Sequence, residues 1–191
     1  VATTLTETYE DVVDTVKAMP WDSATGMGGV IAIYANNSIT LNAPIYADSS
    51  GYSGGIFLNH SGACNLFTPA GTGFAYDASA AGAQNGAYKG EGVSDVPATL
   101  DGAKGAPANG GGGGNNHNNS GGGGANLSAG GNGGGNRSAG PLGCNTAGNQ
   151  GRGGKVLSSS SGTKIFMGGG GGAGHANNGS ASLNYGGNGG G

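Results

Sequence analysis

Apolar and β-branched residues are concentrated in the first 90 residues, in short stretches separated by turn-forming residues. Three such stretches cover residues 29–34, 38–42 and 55–59. Short apolar runs bounded by Asn, Gly and Ser predict β-strands. Their number and spacing predict either the coils of a parallel β-helix or a small sandwich.

Residues 1–24 have the pattern of an N-terminal arm that connects to these strands. Residues 3–9 have a strand-like composition, and the β-branched residues of 11–16 favour a second strand over a short helix. The sequence at Pro20, Trp21 and Asp22 then predicts a turn.

Glycine changes this picture in the second half, because it occurs in long uninterrupted runs. The chain contains 48 glycines, and the longest runs are 110–114 and 168–172. A glycine run has no side chains with which to perform chemistry, so it either remains a flexible linker or packs backbone against backbone. We expect backbone packing, with a flexible Gly/Asn linker and a β-meander with glycine-rich turns as the alternatives.

A polyproline II helix gives this packing a physical basis. It has about three residues per turn and no internal hydrogen bonds, so its backbone groups point outward and can bond to neighbouring helices. A central helix in a hexagonal array needs glycine on every face, whereas an edge helix tolerates side chains. The sequence therefore predicts that runs 110–114 and 168–172 lie inside a polyproline II bundle and that the interrupted runs 121–126 and 147–154 lie at its edge.

These patterns predict a mostly β and irregular fold, in which short β-helix-like or sandwich strands precede a glycine-rich polyproline II helix bundle. The predicted organisation is a connector at 1–24, a β-coil segment at 25–62, a loop-rich connector at 63–109 and the bundle at 110–191. Packing of 25–109 and the bundle into one domain is left open.

An internal repeat marks the loops that we expect to contact a ligand. Residues 111–119 and 169–177 each pass from four glycines to a histidine, and both copies end in the hexapeptide GGNGGG, at 130–135 and 186–191. Asparagine and histidine can hydrogen-bond a sugar or a protein. The predicted contact residues are Asn115, Asn116, His117, Asn118, Asn119, His175, Asn177 and Asn178.

The two matched histidines also suggest a shared metal ion or a pH switch. Too few further ligands are evident, so we expect turn-capping, hydrogen-bonded histidines and no cofactor. Calcium binding within the glycine repeats would need aspartates there, and no aspartate follows Asp101. A single calcium site that uses Asp48, Asp77 or Asp95 is the alternative.

Charge further limits the partners of the chain. Charged residues make up 9% of the sequence, and residues 102–191 contain five basic residues and no acidic one. The basic residues are scattered, so we expect a solvated surface and no nucleic-acid partner. No segment has the length and hydropathy of a membrane span, so we expect no direct membrane insertion. Cys64 and Cys144 lie 80 residues apart, and this even count favours one disulfide between them, with two free thiols as the alternative.

Residues 89–93 (KGEGV), 105–110 (GAPANG) and 165–168 (IFMG), each leading toward a glycine run, resemble segments of very large secreted Bacteroidota surface proteins. Those proteins are exported by the type IX secretion system and are linked to gliding motility and adhesion. Residues 28–33 (GGVIAI) and 39–42 (ITLN) are similar to the β-coil that precedes the glycine block there. The resemblance covers roughly residues 25–191.

This resemblance implies an extracellular, secreted or cell-surface location, and it implies no catalytic residues. Separately, the triplet at 22–24 (DSA) resembles the Bacteroidota O-glycosylation site, which implies an O-linked sugar on Ser23. In architecture the glycine block is similar to the polyproline II bundles of phage tail-tip adhesins and to the glycine-rich region of anaplastic lymphoma kinase-type receptors. The chain begins at Val1 and stops inside a glycine run at Gly191, so we expect the remainder of a longer chain, or neighbouring subunits, as partners.

Together the patterns predict a non-enzymatic structural or adhesive module of a larger cell-surface or filamentous protein. Its loop tips would contact a surface glycan or a protein. One alternative is an ice- or surface-binding protein, since flat arrays of rods can order water. The other is a carbohydrate-active β-helix enzyme that uses Asp48 and Asp77 with Lys89, which would need these groups to converge in a groove.

Overall fold

The computed structural model describes residues 14–59, 86–115, 119–135, 150–158, 164 and 166–176. The chain forms two compact units, Val1–Gly51 and Tyr52–Gly191. The predicted boundary at 109/110 falls inside the second of these units.

The first unit contains a short parallel ladder. Strand β1 (Val16–Lys17) pairs with β2 (Ile45–Tyr46), with Val16 opposite Ile45. Hydrogen bonds from the Val16 amide to the Pro44 carbonyl (3.2 Å) and from the Ala18 amide to the Tyr46 carbonyl (2.8 Å) extend the ladder. The predicted strands at 29–34 and 38–42 are described and are not strands, although Leu41 takes part in an isolated bridge. An apolar stretch becomes a strand only where a neighbour supplies its hydrogen bonds.

A tight turn over residues 22–27 begins at Asp22, the last residue of the turn predicted at 20–22. The Asp22 amide donates to the Met27 carbonyl (2.8 Å), and the Gly26 amide donates to the Asp22 carbonyl (2.8 Å). The Asp22 carboxylate accepts from the Ala24 amide (2.9 Å) and from the Thr25 hydroxyl (2.8 Å). These hydrogen bonds, the Thr25 bond above all, lower the pKa of Asp22 below its ordinary value because they favour the charged carboxylate.

Within its described residues, the second unit consists of segments that bond to one another through their backbones, and we call these segments rods. They are rod 1 (53–57), rod 2 (86–92), rod 3 (101–106), rod 4 (109–115), rod 5 (119–125), rod 6 (129–135), rod 7 (150–156) and rod 8 (166–176). Rod 1 continues into strand β3 (Leu58–Asn59), which pairs in parallel with β4 (His175–Ala176) at the end of rod 8.

Bonds between rods recur every three residues. Rod 8 donates to rod 5 from Gly169, Gly172 and His175, which bond to Ala125, Gly122 and Asn119 at 2.9, 2.8 and 3.0 Å. This pair is antiparallel, whereas rod 4 donates to rod 8 in parallel, from Gly111 to Gly170 and from Gly114 to Ala173. Three residues is the turn of a polyproline II helix, whereas side chains in a β-strand alternate with a period of two.

Rod 4 lies at the centre of the described rods. It exchanges backbone hydrogen bonds with rods 2, 3, 5, 7 and 8. Each of those five rods also bonds to the next one around rod 4 (2 to 3, 3 to 7, 7 to 5, 5 to 8 and 8 to 2), so the five form a closed ring around it. A hexagonal array would give rod 4 six neighbours, and within the described residues it has five.

The ring explains why rod 4 is made of glycine. Gly110–Gly114 are all buried. A Cβ atom added at Gly112 would lie 2.6 Å from the Lys104 carbonyl carbon, and one added at Gly111 would lie 2.7 Å from the Gly172 amide nitrogen. At Gly131, in rod 6, an added Cβ would meet nothing within 4 Å. Rod 6 bonds to rods 5 and 7 and is otherwise exposed, so it forms an edge of the described bundle.

Candidate functional site

Three of the predicted contact residues meet at one end of rod 4. Asn115 ends rod 4, Asn119 begins rod 5, and the His175 amide donates to the Asn119 carbonyl at 3.0 Å. A Cβ added at Gly114 would lie 3.0 Å from the His175 nitrogen, which shows how closely the three rods approach. We call this the Asn119 end of the bundle.

The side chains at the Asn119 end are buried. Asn115 and Asn119 are each 1% exposed, and His175 is 5% exposed. A ligand on the surface of the bundle would not reach such side chains directly. Their burial therefore favours a structural role for these three residues, in which they close the ends of rods 4, 5 and 8.

The remaining predicted contacts lie outside the described residues. They are Asn116, His117, Asn118, Asn177 and Asn178. Cys64 and Cys144 also lie outside the described residues, so the choice between a disulfide and two thiols stays a prediction. Asn115 ends rod 4 and Asn119 begins rod 5, so residues 116–118 connect these two buried residues along the chain.

The opposite end of rod 4 is organised by Asn109. This residue is 0% exposed, and its side-chain amide donates to the Met167 carbonyl at 2.9 Å. Its Oδ1 atom accepts from the Val93 amide at 2.9 Å. The sequence includes Asn109 only as part of the 105–110 motif. A polar residue immediately before an uninterrupted glycine run is the signal that could have identified it.

Charged residues are also found within the second unit. Lys89 and Lys104 are each 7% exposed, and the Lys104 carbonyl accepts from the Arg152 amide at 2.9 Å. The Glu91 carboxylate accepts from the Ser53 amide at 3.0 Å and so connects rod 2 to rod 1. Burial raises the pKa of the nearby Tyr52 hydroxyl, and the negative charge of Glu91 raises it further.

The residues considered for catalysis or calcium binding are distributed over both units. Asp48 belongs to the first unit, Lys89 and Asp95 belong to the second, and Asp77 lies outside the described residues. The described part of the chain contains no group of three or more His, Cys, Asp or Glu side chains that could hold a metal ion. The expectation of no cofactor, with calcium as the alternative, stays a prediction.

Ser23 lies at the surface, in the turn that Asp22 stabilises. Its side chain is exposed, as are its neighbours at 22 and 24. An exposed turn is accessible to a modifying enzyme, and the attachment of a sugar at Ser23 stays a prediction.

Over the ranges that the structure describes, no helix is long and apolar enough to cross a membrane. Comparisons of the chain with protein-family models, with curated proteins and with solved structures gave no match. The function proposed below therefore rests on the contacts of the described residues.

Proposed function

We propose that the chain is a non-enzymatic structural or adhesive module of a larger extracellular protein, built around a polyproline II bundle. One observation carries this proposal, namely the closed ring of five rods around rod 4. The interior of the ring is filled by backbone, and an added Cβ at Gly112 would overlap the Lys104 carbonyl. The close packing of backbone in this interior supports a rigid scaffold. The same packing leaves no room inside the ring for reacting side chains, which supports the non-enzymatic part of the proposal.

The three-residue spacing of the inter-rod bonds supports the polyproline II assignment. Glycine loses more backbone entropy on folding than any other residue, so a glycine-rich segment needs compensation to remain ordered. Each inter-rod bond contributes about 0.5–1.5 kcal/mol net. Five rods surround rod 4, so the stabilising bonds leave it in several directions. This favours a rigid bundle.

Loops at the rod ends are the parts of such a scaffold that can vary without disturbing it, and binding residues commonly lie on loops held by a rigid scaffold. We place the contact surface at residues 116–118, which connect rods 4 and 5. A secreted or cell-surface location belongs to the same proposal and is supported by the resemblance of residues 25–191 to Bacteroidota surface proteins. A glycan or a protein would be the ligand.

A binding experiment with matched loop variants tests this proposal. The probe is an array of purified bacterial and host glycans, together with immobilised extracellular matrix proteins. The test variant combines Asn116→Ala, His117→Ala and Asn118→Ala. Residues 115 and 119 are left unchanged because both are buried and support the bundle.

The matched control combines Asn126→Ala, Leu127→Ala and Ser128→Ala in the exposed turn between rods 5 and 6. We expect the wild-type chain and this control to bind a common probe, and the 116–118 variant to bind it at least tenfold more weakly. Equal binding by both triple variants would remove 116–118 as the contact surface. Breakdown of a glycan by the wild-type chain would contradict the non-enzymatic assignment.

A further inference from the structure

The register between two glycine rods is fixed less strongly than the register between helices or strands that carry side chains. Rods 5 and 8 are joined through residues 125 and 169, 122 and 172, and 119 and 175, which are steps of three on both rods. A shift of one rod by three residues would replace each bonded pair by an equivalent pair of backbone groups. Glycine has no side chain that could distinguish the two arrangements, so a glycine bundle alone specifies its register weakly.

Asn109 breaks this equivalence because its amide contacts three neighbouring segments at once. Its Nδ2 atom donates to the Met167 carbonyl of rod 8 at 2.9 Å, with a longer contact to the Ala125 carbonyl of rod 5 at 3.5 Å. Its Oδ1 atom accepts from the Val93 amide, which follows rod 2, at 2.9 Å. The donor and the acceptor of this one side chain therefore fix the position of rod 4 relative to rods 2, 5 and 8.

A three-residue shift of rod 4 would be resisted in either direction. In one direction Asn109 would move to the place of Gly112, where even a Cβ would lie 2.6 Å from the Lys104 carbonyl carbon. In the other direction Asn109 would leave its fully buried position, and glycine would replace it beside the Val93 amide and the Met167 carbonyl. Those backbone groups would then lose their partner, which is unfavourable in a buried site.

We propose that Asn109 is the register lock of the bundle. It selects one arrangement from the set of glycine-rod registers that differ by three residues. This inference concerns how the fold is specified and goes beyond the function proposed above. An amide suits this role because it offers both a donor and an acceptor, whereas an aspartate would offer acceptors alone.

Disulfide cross-linking reports the register of rods 5 and 8, which the Asn109 amide bridges through the Ala125 and Met167 carbonyls. An added Cβ at Gly168 would lie 3.9 Å from the Asn126 Cβ, which is within the roughly 3.5–4.5 Å that a disulfide requires. Asn126 directly follows rod 5, so the Asn126→Cys/Gly168→Cys pair links the end of rod 5 to rod 8 in the observed register alone. The linked peptide is quantified by mass spectrometry after mild oxidation, well below the melting temperature of each variant.

The lock is tested by adding Asn109→Ala or the isosteric Asn109→Asp to this reporter pair. The matched control is Asn132→Ala, which removes a side-chain bond between rods 6 and 7 (Gly153 amide to Asn132 Oδ1, 3.0 Å). We expect each Asn109 variant to lower the cross-linking yield at least fivefold and to double the amide resonances of the rods, with circular dichroism retained. The control should keep the wild-type yield and a single set of resonances.

Two results would overturn the lock. One is a folded Asn109 variant that keeps both the wild-type cross-linking yield and the hydrogen-bond coupling between the Gly111 amide and the Gly170 carbonyl, because rods 4, 5 and 8 would then keep their register without Asn109. The other is cooperative unfolding of both Asn109 variants without a shifted species, because Asn109 would then contribute stability alone.

Discussion

Replacing Gly112 by alanine tests the close packing of rod 4 at an enclosed position. The added Cβ would lie 2.6 Å from the Lys104 carbonyl carbon, whereas ordinary van der Waals contact begins at 3.4 Å. The carbonyl oxygen would lie closer still, so the two rods would have to separate by more than about 0.8 Å, the difference between these two distances. The obstacle is backbone on both sides, so no side-chain rotation can relieve it.

Three hydrogen bonds are affected by this separation. The Gly112 amide donates to Arg152 at 2.8 Å, the Gly112 carbonyl accepts from Gly122 at 2.8 Å, and Lys104 accepts from Arg152 at 2.9 Å. With a net value of about 1 kcal/mol for each bond, we expect Gly112→Ala to lower the free energy of unfolding by about 3 kcal/mol. For a chain of this size the melting temperature would fall by roughly 6–12 °C.

Gly131→Ala is the matched control, since it adds the same methyl group to an edge rod with nothing within 4 Å. It should be neutral or stabilise the chain by about 0.4–1 kcal/mol, because alanine restricts the unfolded state more than glycine does. Both free energies are measured by urea denaturation followed by circular dichroism. Values for the two variants that agree within about 0.5 kcal/mol would refute the enclosed position of rod 4.

Three further predictions concern single groups. In an NMR titration the pKa of Asp22 should lie below 3.8 and should rise toward that value in Thr25→Val, and an unchanged pKa would contradict the role of the hydroxyl. Because the folded-state pKa is lowered, any stability that Asp22 contributes is present above pH 3.8 and is lost as the pH falls through the folded-state pKa. Glu91→Gln should lower the raised pKa of Tyr52 without restoring its ordinary value, since burial is the larger cause, as measured by ultraviolet absorbance against pH. Gly28→Ala should destabilise the first unit by about 1–3 kcal/mol in thermal unfolding, because its φ is +102° and an added Cβ would lie 2.7 Å from a backbone carbonyl carbon.

The behaviour of the glycine run at 110–114 follows from its sequence. A run without side chains gains order only from backbone neighbours, and all of Gly110–Gly114 are buried. The run at 168–172 is less enclosed, with Gly170 and Gly171 buried and the flanking glycines half-buried. The number of neighbours around rod 4 could not be predicted, because the loops that return the chain decide which segments surround it.

The sequence is less informative about the strands and about the site. The apolar stretch at 29–34 has the composition of a strand, but composition does not supply the partner that a ladder requires. Asn115, Asn119 and His175 resemble loop-tip contacts in sequence, and the structure buries them because rods 4, 5 and 8 converge there. Asn109 is inconspicuous in an asparagine-rich chain, since its importance depends on three backbone partners from distant segments.

Hydrogen-bond scalar couplings measured by NMR test the packing of the glycine rods most directly. We expect the Gly111 amide to couple to the Gly170 carbonyl and the Gly114 amide to couple to the Ala173 carbonyl, a step of three residues on both rods. Couplings that recur every two residues would indicate a β-ladder, and the absence of couplings between residues 110–114 and 168–173 would indicate that the runs do not pack. Either result would contradict a backbone-packed polyproline II bundle.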